Sequence, residues 1–274
     1  MKAEAGLYVH VPFCLTRCGY CDFNTYAGLD HLRSPYLAAL RGEADLLARE
    51  MADTRFVSVF LGGGTPTMLP SDALADLLAL SRDHFRVSED AEVTCEANPE
   101  TVDEASLAAL LEAGFNRLSL GVQSFDASVL ASLERLHRPD SARAAFAAAR
   151  AAGFRNVNLD LIYGAEGETD SSWRATLEEA IALAPEHLSC YALTVEPNTV
   201  LGRQVGAGER PEPDPDVQAA RYSLACEMLA AAGYEHYEVS NWAKPGHACV
   251  HNLGYWDGRP YVGLGAGAHS YVGG

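Results

Sequence analysis

The chain of 274 residues lacks any apolar run of 18 residues and any basic-then-apolar leader, so neither a membrane-spanning helix nor a secretory signal is expected of it. Positive charge is in short supply. Lys and Arg number 20 against 37 Asp and Glu, and the resulting −17 opposes a general attraction to nucleic acid or to an anionic bilayer. Paired cysteines are missing as well. Seven is an odd count and three of the seven crowd together near the start, which argues against a disulfide framework and for a reducing, cytoplasmic setting. Small molecules and proteins are then the expected partners. Two nucleotide signatures are incomplete: GGGTPT (62–67) is not followed by Gly-Lys-Ser/Thr, and GLGAGA (263–268) has neither a following helix nor a downstream acid.

What is present is alternation. Six strand-like runs occupy 6–12, 56–63, 91–99, 117–124, 156–164 and 187–195, separated by Ala/Leu-rich helical stretches at about 34–51, 71–84, 103–113, 126–152 and 170–184. Without a hairpin signal this predicts a parallel sheet with right-handed crossovers. Helix starts are marked at Ser71, Asp103 and Ser141, and ends at Gly114 and Gly153. One strand parity is aliphatic, as in Leu7, Val9 and Val11 or Val57, Val59 and Leu61, and suits packing under helices. The other carries Tyr8, His10, Glu96, Gln123, Asp160 and Tyr191. Successive side chains point to opposite faces, so these polar groups share the concave side. A closed eight-stranded barrel fills with aliphatics, whereas a polar lining and six strands predict a partial barrel with a lumen for ligand and water.

After the sixth strand, 198–216 reads as a loop leaving the barrel, followed by an amphipathic helix at about 216–232, YEVSNWA (237–243) and HNLGYW (251–256). The expected division is a barrel over 1–197 and a C-terminal extension over 198–274, with the glycine-rich end read as a stop inside a longer protein.

Cys14, Cys18 and Cys21, in CLTRCGYC, follow the first strand directly. Three thiolates can hold three irons of a [4Fe–4S] cube and leave the fourth open for reactivity. The alternatives are a structural zinc, or a helical stripe, since i, i+4 and i+7 share a face. Zinc needs a fourth ligand that the loop does not supply, and Pro12 and Gly19 oppose a helix there. Cys95, Cys190, Cys226 and Cys249 read as small core residues. Glu96, Gln123 and Asp160 stand near strand C-termini, where barrel function concentrates. An ionised carboxylate there suits ribose hydroxyls because it only accepts, although any of the three could instead pair with Arg117, Arg135 or Lys244. GGGTPT ends the second strand at the same rim, where glycines admit close backbone approach; a plain tight turn is the alternative. His251 stands by Tyr255 and Trp256, either as a haem-iron ligand with aromatics against the macrocycle or as an ordinary hydrogen-bonded histidine.

Taken in order, YVHVPFCLTRCGYC, GGGTPT, CEANPE, LSLGVQSF, LDLIYG and HNLGYW resemble the radical S-adenosylmethionine branch of oxygen-independent coproporphyrinogen oxidases, and most closely the HemW haem chaperones. The resemblance implies an α/β fold, a partial (β/α)6 TIM-like barrel with a mostly parallel sheet and a short C-terminal extension. It implies a [4Fe–4S] cluster on Cys14, Cys18 and Cys21 whose open iron chelates S-adenosylmethionine. Tyr8, Tyr20, Gly63, Gly64, Thr65, Glu96, Gln123, Arg135 and Asp160 match cofactor positions, with Glu96 on the ribose and Tyr20 near the adenine or a second cofactor molecule. Thr194 aligns with a further contact in a less similar stretch. His251 matches the haem contact. Where the oxidase branch carries another cysteine two residues after the motif, this chain has Phe23. The implied function is to hold haem and pass it to an acceptor protein, with an electron donor for the cluster. The alternative is oxidative decarboxylation of coproporphyrinogen III to protoporphyrinogen IX through a 5′-deoxyadenosyl radical. Family members continue into a further domain that helps cover the barrel mouth.

Overall fold

The computed structural model describes residues 4–272, so the last two residues of the glycine-rich end lie outside the described part. Its centre is six parallel strands side by side: β1 (Glu4–Val11), β2 (Arg55–Gly63), β3 (Arg86–Ala97), β4 (Arg117–Gln123), β5 (Val157–Tyr163) and β6 (His187–Ala192). Helices α1 (Arg33–Glu50), α2 (Ser71–His84), α3 (Glu104–Ala113), α4 (Ala127–Ser132), α5 (Pro139–Ala152) and α6 (Asp170–Leu183) lie between them along the chain. The aliphatic parity behaves as its spacing requires: Leu7, Val9, Leu61, Leu118, Leu120 and Leu159 are fully covered in one continuous core under the helices. The α3 boundaries follow from local chemistry. Asp103 accepts from Ser106 N in a reciprocal capping box, and Gly114 closes the helix at φ +106, a conformation that glycine adopts without a Cβ penalty.

Several expectations are corrected. The stretch 126–152 is two helices, because Glu134 turns to φ +54 and Pro139, which has no N–H to give, can only begin a helix. Its start is therefore Pro139 and not Ser141, and the break delivers Arg135 and His137 to the barrel. Val57 does not face the helices. A register shift between Phe56 and Ser58 puts Phe56 into the core and leaves Val57 half-buried, lining a surface hollow, as a bulge re-aims side chains. The supposed loop 198–216 contains α7 (Val200–Gly206), begun by Thr199 accepting from Gly202 N, before α8 (Pro215–Ala231).

The later residues also extend the sheet. YEVSNWA contributes to two short strands, β7 (Glu235–Glu238) and β8 (Asn241–Ala243), a hairpin whose second strand pairs antiparallel with β6. After α9 (Val250–Trp256), β9 (Tyr261–Leu264) pairs parallel to β1 at the opposite edge. The sheet order is β9-β1-β2-β3-β4-β5-β6-β8-β7, so residues after 198 cover both outer edges of the six-stranded centre. Among the described residues no helix is long and apolar enough to cross a membrane.

Candidate functional site

At the C-terminal ends of the strands a cavity of about 470 Å³ opens, and the three clustered cysteines, Gly63 to Thr65, Glu96, Gln123, Arg135 and Asp160 all line it. Tyr20 and Thr194 lie in the same wall. The cysteine loop is held by the glycine motif. Gly64 N donates to Val11 O at 2.9 Å and Thr65 N to Phe13 O at 2.8 Å, while Phe13–Cys14 pairs with Tyr26–Ala27. A Cβ on Gly64 would stand 2.7 Å from Phe13 O, and one on Gly63, at φ +109, would run into the His10 ring. The close approach these glycines permit is therefore first of all that of the cysteine loop to β2.

Each thiol is half-buried and has one partner: Thr65 Oγ1 donates toward Cys14 Sγ at 3.9 Å, Arg135 Nη1 toward Cys18 Sγ at 3.5 Å, and Thr25 Oγ1 lies 3.9 Å from Cys21 Sγ. Among the described residues no three His, Cys, Asp or Glu side chains converge on a point where one ion could sit.

The lumen below is acidic, and its carboxylates are buried. Glu96 lies over the bare α-carbon of Gly62 and accepts from Gly63 N at 3.1 Å; burial, and then the Asp160 carboxylate, push it up to about 8. Asp160 accepts from Ser119 Oγ and Asn158 Nδ2, both at 2.9 Å, and burial raises it too. Two buried acids sharing a cavity favour a ligand that brings donors or positive charge. Gln123 reaches the cavity from a left-handed backbone, φ +65. Asn98 was not singled out from the sequence: its amide bridges Thr65 Oγ1, at 2.8 Å, and Arg135 Nη2, at 2.6 Å. The only signal was the Asn-Pro pair closing CEANPE, a place where a side chain is held at a strand end.

Two candidates are not brought to this wall. Tyr8 lies deeper, its hydroxyl on His10 Nδ1 at 3.0 Å and its ring 6.4 Å from that of His251. His251 is in the barrel floor, 4% exposed, at the opposite end of the strands. Ser58 Oγ takes its Nδ1 at 2.9 Å and Tyr255 OH its Nε2 at 2.9 Å, and Phe60 stacks on it at 5.2 Å. Glu92 anchors the start of α9 by accepting from Val250 N and His251 N, at 3.0 and 3.1 Å, and from Cys249 Sγ. The sequence leaves His251 either as a haem-iron ligand or as an ordinary hydrogen-bonded histidine; in this arrangement Ser58 and Tyr255 occupy its two ring nitrogens. HNLGYW closes the barrel floor, with Tyr255 and Trp256 half-exposed beneath it.

The sequence signature of the Radical SAM superfamily matches residues 8–180. The heme chaperone HemW of Mycobacterium tuberculosis H37Rv is 50% identical over 273 residues, covering 98% of this chain and 70% of that protein. The chain belongs to the HemW family of the radical SAM superfamily. HemW of Escherichia coli K12 is 40% identical over 97% of the chain, again spanning 70% of the relative. Among solved structures, the radical SAM enzyme coproporphyrinogen III oxidase HemN of E. coli superposes with a TM-score of 0.85 at 28% identity, over 98% of this chain and 64% of that one. The chain thus spans about 70% of the HemW relatives and less than two thirds of HemN.

In radical SAM terms the residues fit the group. Three soft thiols with donors at their sulfurs would hold the cluster, and the acid-lined lumen beside them would take a cofactor carrying an amino group and ribose hydroxyls. Phe23 stands on the cavity rim, 63% exposed.

Proposed function

We propose that this chain is a haem chaperone, which binds haem and hands it to an acceptor protein while a [4Fe–4S] cluster and S-adenosylmethionine occupy the cysteine-lined cavity. The observation that carries this reading is the 50% identity to a heme chaperone HemW over 98% of the chain. When bound, the cluster supplies one-electron chemistry to the sulfonium cofactor. The protein's own part is positional. Cys14, Cys18 and Cys21 hold the cluster; Glu96 and Asp160 accept from the cofactor; Tyr20, Gly63, Gly64, Thr65, Gln123 and Arg135 form the surrounding wall, with Tyr8 beneath. Free thiols and a cluster suit a reducing environment, which supports a cytoplasmic setting with an electron donor for the cluster.

His251 as a haem contact belongs to this proposal. It requires Tyr255 to give up Nε2, so the test is haem titration of anaerobically reconstituted wild type beside His251→Ala and Tyr255→Phe. Weaker binding by the first and tighter binding by the second support it; unchanged binding by both removes His251 from the account.

The likeness to HemN favours a second reading, decarboxylation of coproporphyrinogen III by an enzyme of the same architecture. Incubating the reconstituted protein with that substrate and S-adenosylmethionine and assaying 5′-deoxyadenosine and carbon dioxide separates the two; no formation of either rejects the oxidase.

A further inference from the structure

Asn98 makes no bond to a cysteine, yet it joins the donors of two of them. It ends the strand run before Pro99, whose ring restricts the residue ahead of it to extended backbone, here φ −100 and ψ 147. Its carbonyl is also taken, by Thr101 N at 3.0 Å and Thr101 Oγ1 at 2.8 Å. The side chain is thus aimed from a fixed base. A guanidinium has donors only, so the amide oxygen must face Arg135 Nη2, at 2.6 Å, and the amide nitrogen must face Thr65 Oγ1, at 2.8 Å. Having accepted from Asn98, the Thr65 hydroxyl sends its single hydrogen elsewhere, and Cys14 Sγ is the acceptor at 3.9 Å. Arg135 places its other terminal nitrogen 3.5 Å from Cys18 Sγ and is braced by Gly121 O at 3.1 Å. Gly121 is bare because a Cβ there would stand 2.9 Å from Asn98 Oδ1.

We propose that Asn98 is a positioning residue: one amide fixes the direction of the hydrogen bonds to two of the three cluster thiolates and thereby raises the cluster's reduction potential. Donors at cluster sulfurs draw off negative charge and favour the reduced state. The inference rests on the cluster reading above.

Asn98→Asp keeps the shape but replaces the amide donor with an acceptor. The Thr65 hydrogen then turns to the carboxylate and Cys14 loses its bond. Thr65→Val removes the same hydrogen without adding charge. Wild type, both single variants and the double variant are reconstituted anaerobically, checked for iron and sulfide, and titrated potentiometrically with electron paramagnetic resonance as the readout. Asn98→Asp should lower the reduction equilibrium about tenfold, which is about 59 mV for a one-electron couple. Thr65→Val should shift it the same way by less, and the double variant should fall no lower than Asn98→Asp because both changes remove one hydrogen. A residue that merely holds the loop would leave the potential unmoved. Equal potentials for wild type and Thr65→Val at full iron content overturn the inference, and that comparison decides alone if Asn98→Asp takes up no cluster. A wild type that assembles no four-iron cluster overturns the cluster reading as well.

Discussion

Replacing His251 by alanine removes a buried ring that nothing else in the floor can replace. Ser58 Oγ, with no exposure, loses its partner at 2.9 Å, and leaving a buried hydroxyl unsatisfied costs about 1–3 kcal/mol. The ring's contacts with Phe60 and Tyr8 go too, leaving a cavity worth about 2 kcal/mol more. A loss of about 3–5 kcal/mol is expected, against under about 0.5 kcal/mol for a surface ligand position. The assay is urea unfolding of the apo-protein. Its pH dependence is diagnostic: burial first, then Arg117 and Arg259, push His251 down to about 3 from its ordinary 6.5. The folded protein keeps the ring neutral while the unfolded chain protonates it, so this contribution is whole above pH 6.5 and shrinks as pH falls toward 3. At about 1.4 kcal/mol per pH unit, wild type loses about 2 kcal/mol from this group between pH 7.5 and 5 and the variant loses none. The gap between the two should narrow by that amount. A gap under 1 kcal/mol at pH 7.5, or one that does not change with pH, refutes the floor argument.

Substituting Cys14, Cys18 or Cys21 singly by serine should abolish stable incorporation of about four irons per chain, read by iron analysis and absorption, because two thiolates cannot hold the cube. Gly64→Ala forces a Cβ against Phe13 O and Val11 O, so it should destabilise by about 1–3 kcal/mol in thermal melts and lower cluster occupancy, whereas Gly42→Ala, which meets nothing, should do neither. Glu96 is protonated below about 8, and a ligand that binds its ionised form must release that proton. S-Adenosylmethionine affinity, followed by calorimetry, should therefore rise toward pH 8 by up to about tenfold per unit in wild type and stay flat in Glu96→Gln.

Much of this could be read beforehand where the period of the pattern is unambiguous. Leu118, Leu120 and Val122 on one side of β4, with Ser119, Gly121 and Gln123 on the other, announce a half-polar barrel strand, and the cavity wall follows from it. Val57 was misread because a bulge changes parity without changing composition. The break at Glu134 was missed because Ala- and Leu-rich flanks outweigh one positive φ in any helical count. Asn98 escaped because its importance lies in where Thr65 and Arg135 end up, and they are separated from it by 33 and 37 positions. His251 shows the converse. A motif flanked by aromatics reads equally well as a ligand or as a stopper, and its letters do not announce that Ser58 and Tyr255 take its two nitrogens.

The pairing of β9 with β1 bears on when the cluster loop matures. Asn24 beside the last cysteine donates to Ala266 O, a contact 242 residues away in sequence, and Tyr36, which supports His10 O, is packed against Gly265. Such closures are slow because the entropy of closing a long loop is lost before the contact repays it. The thiol loop is therefore fully braced only once β9 has docked on β1.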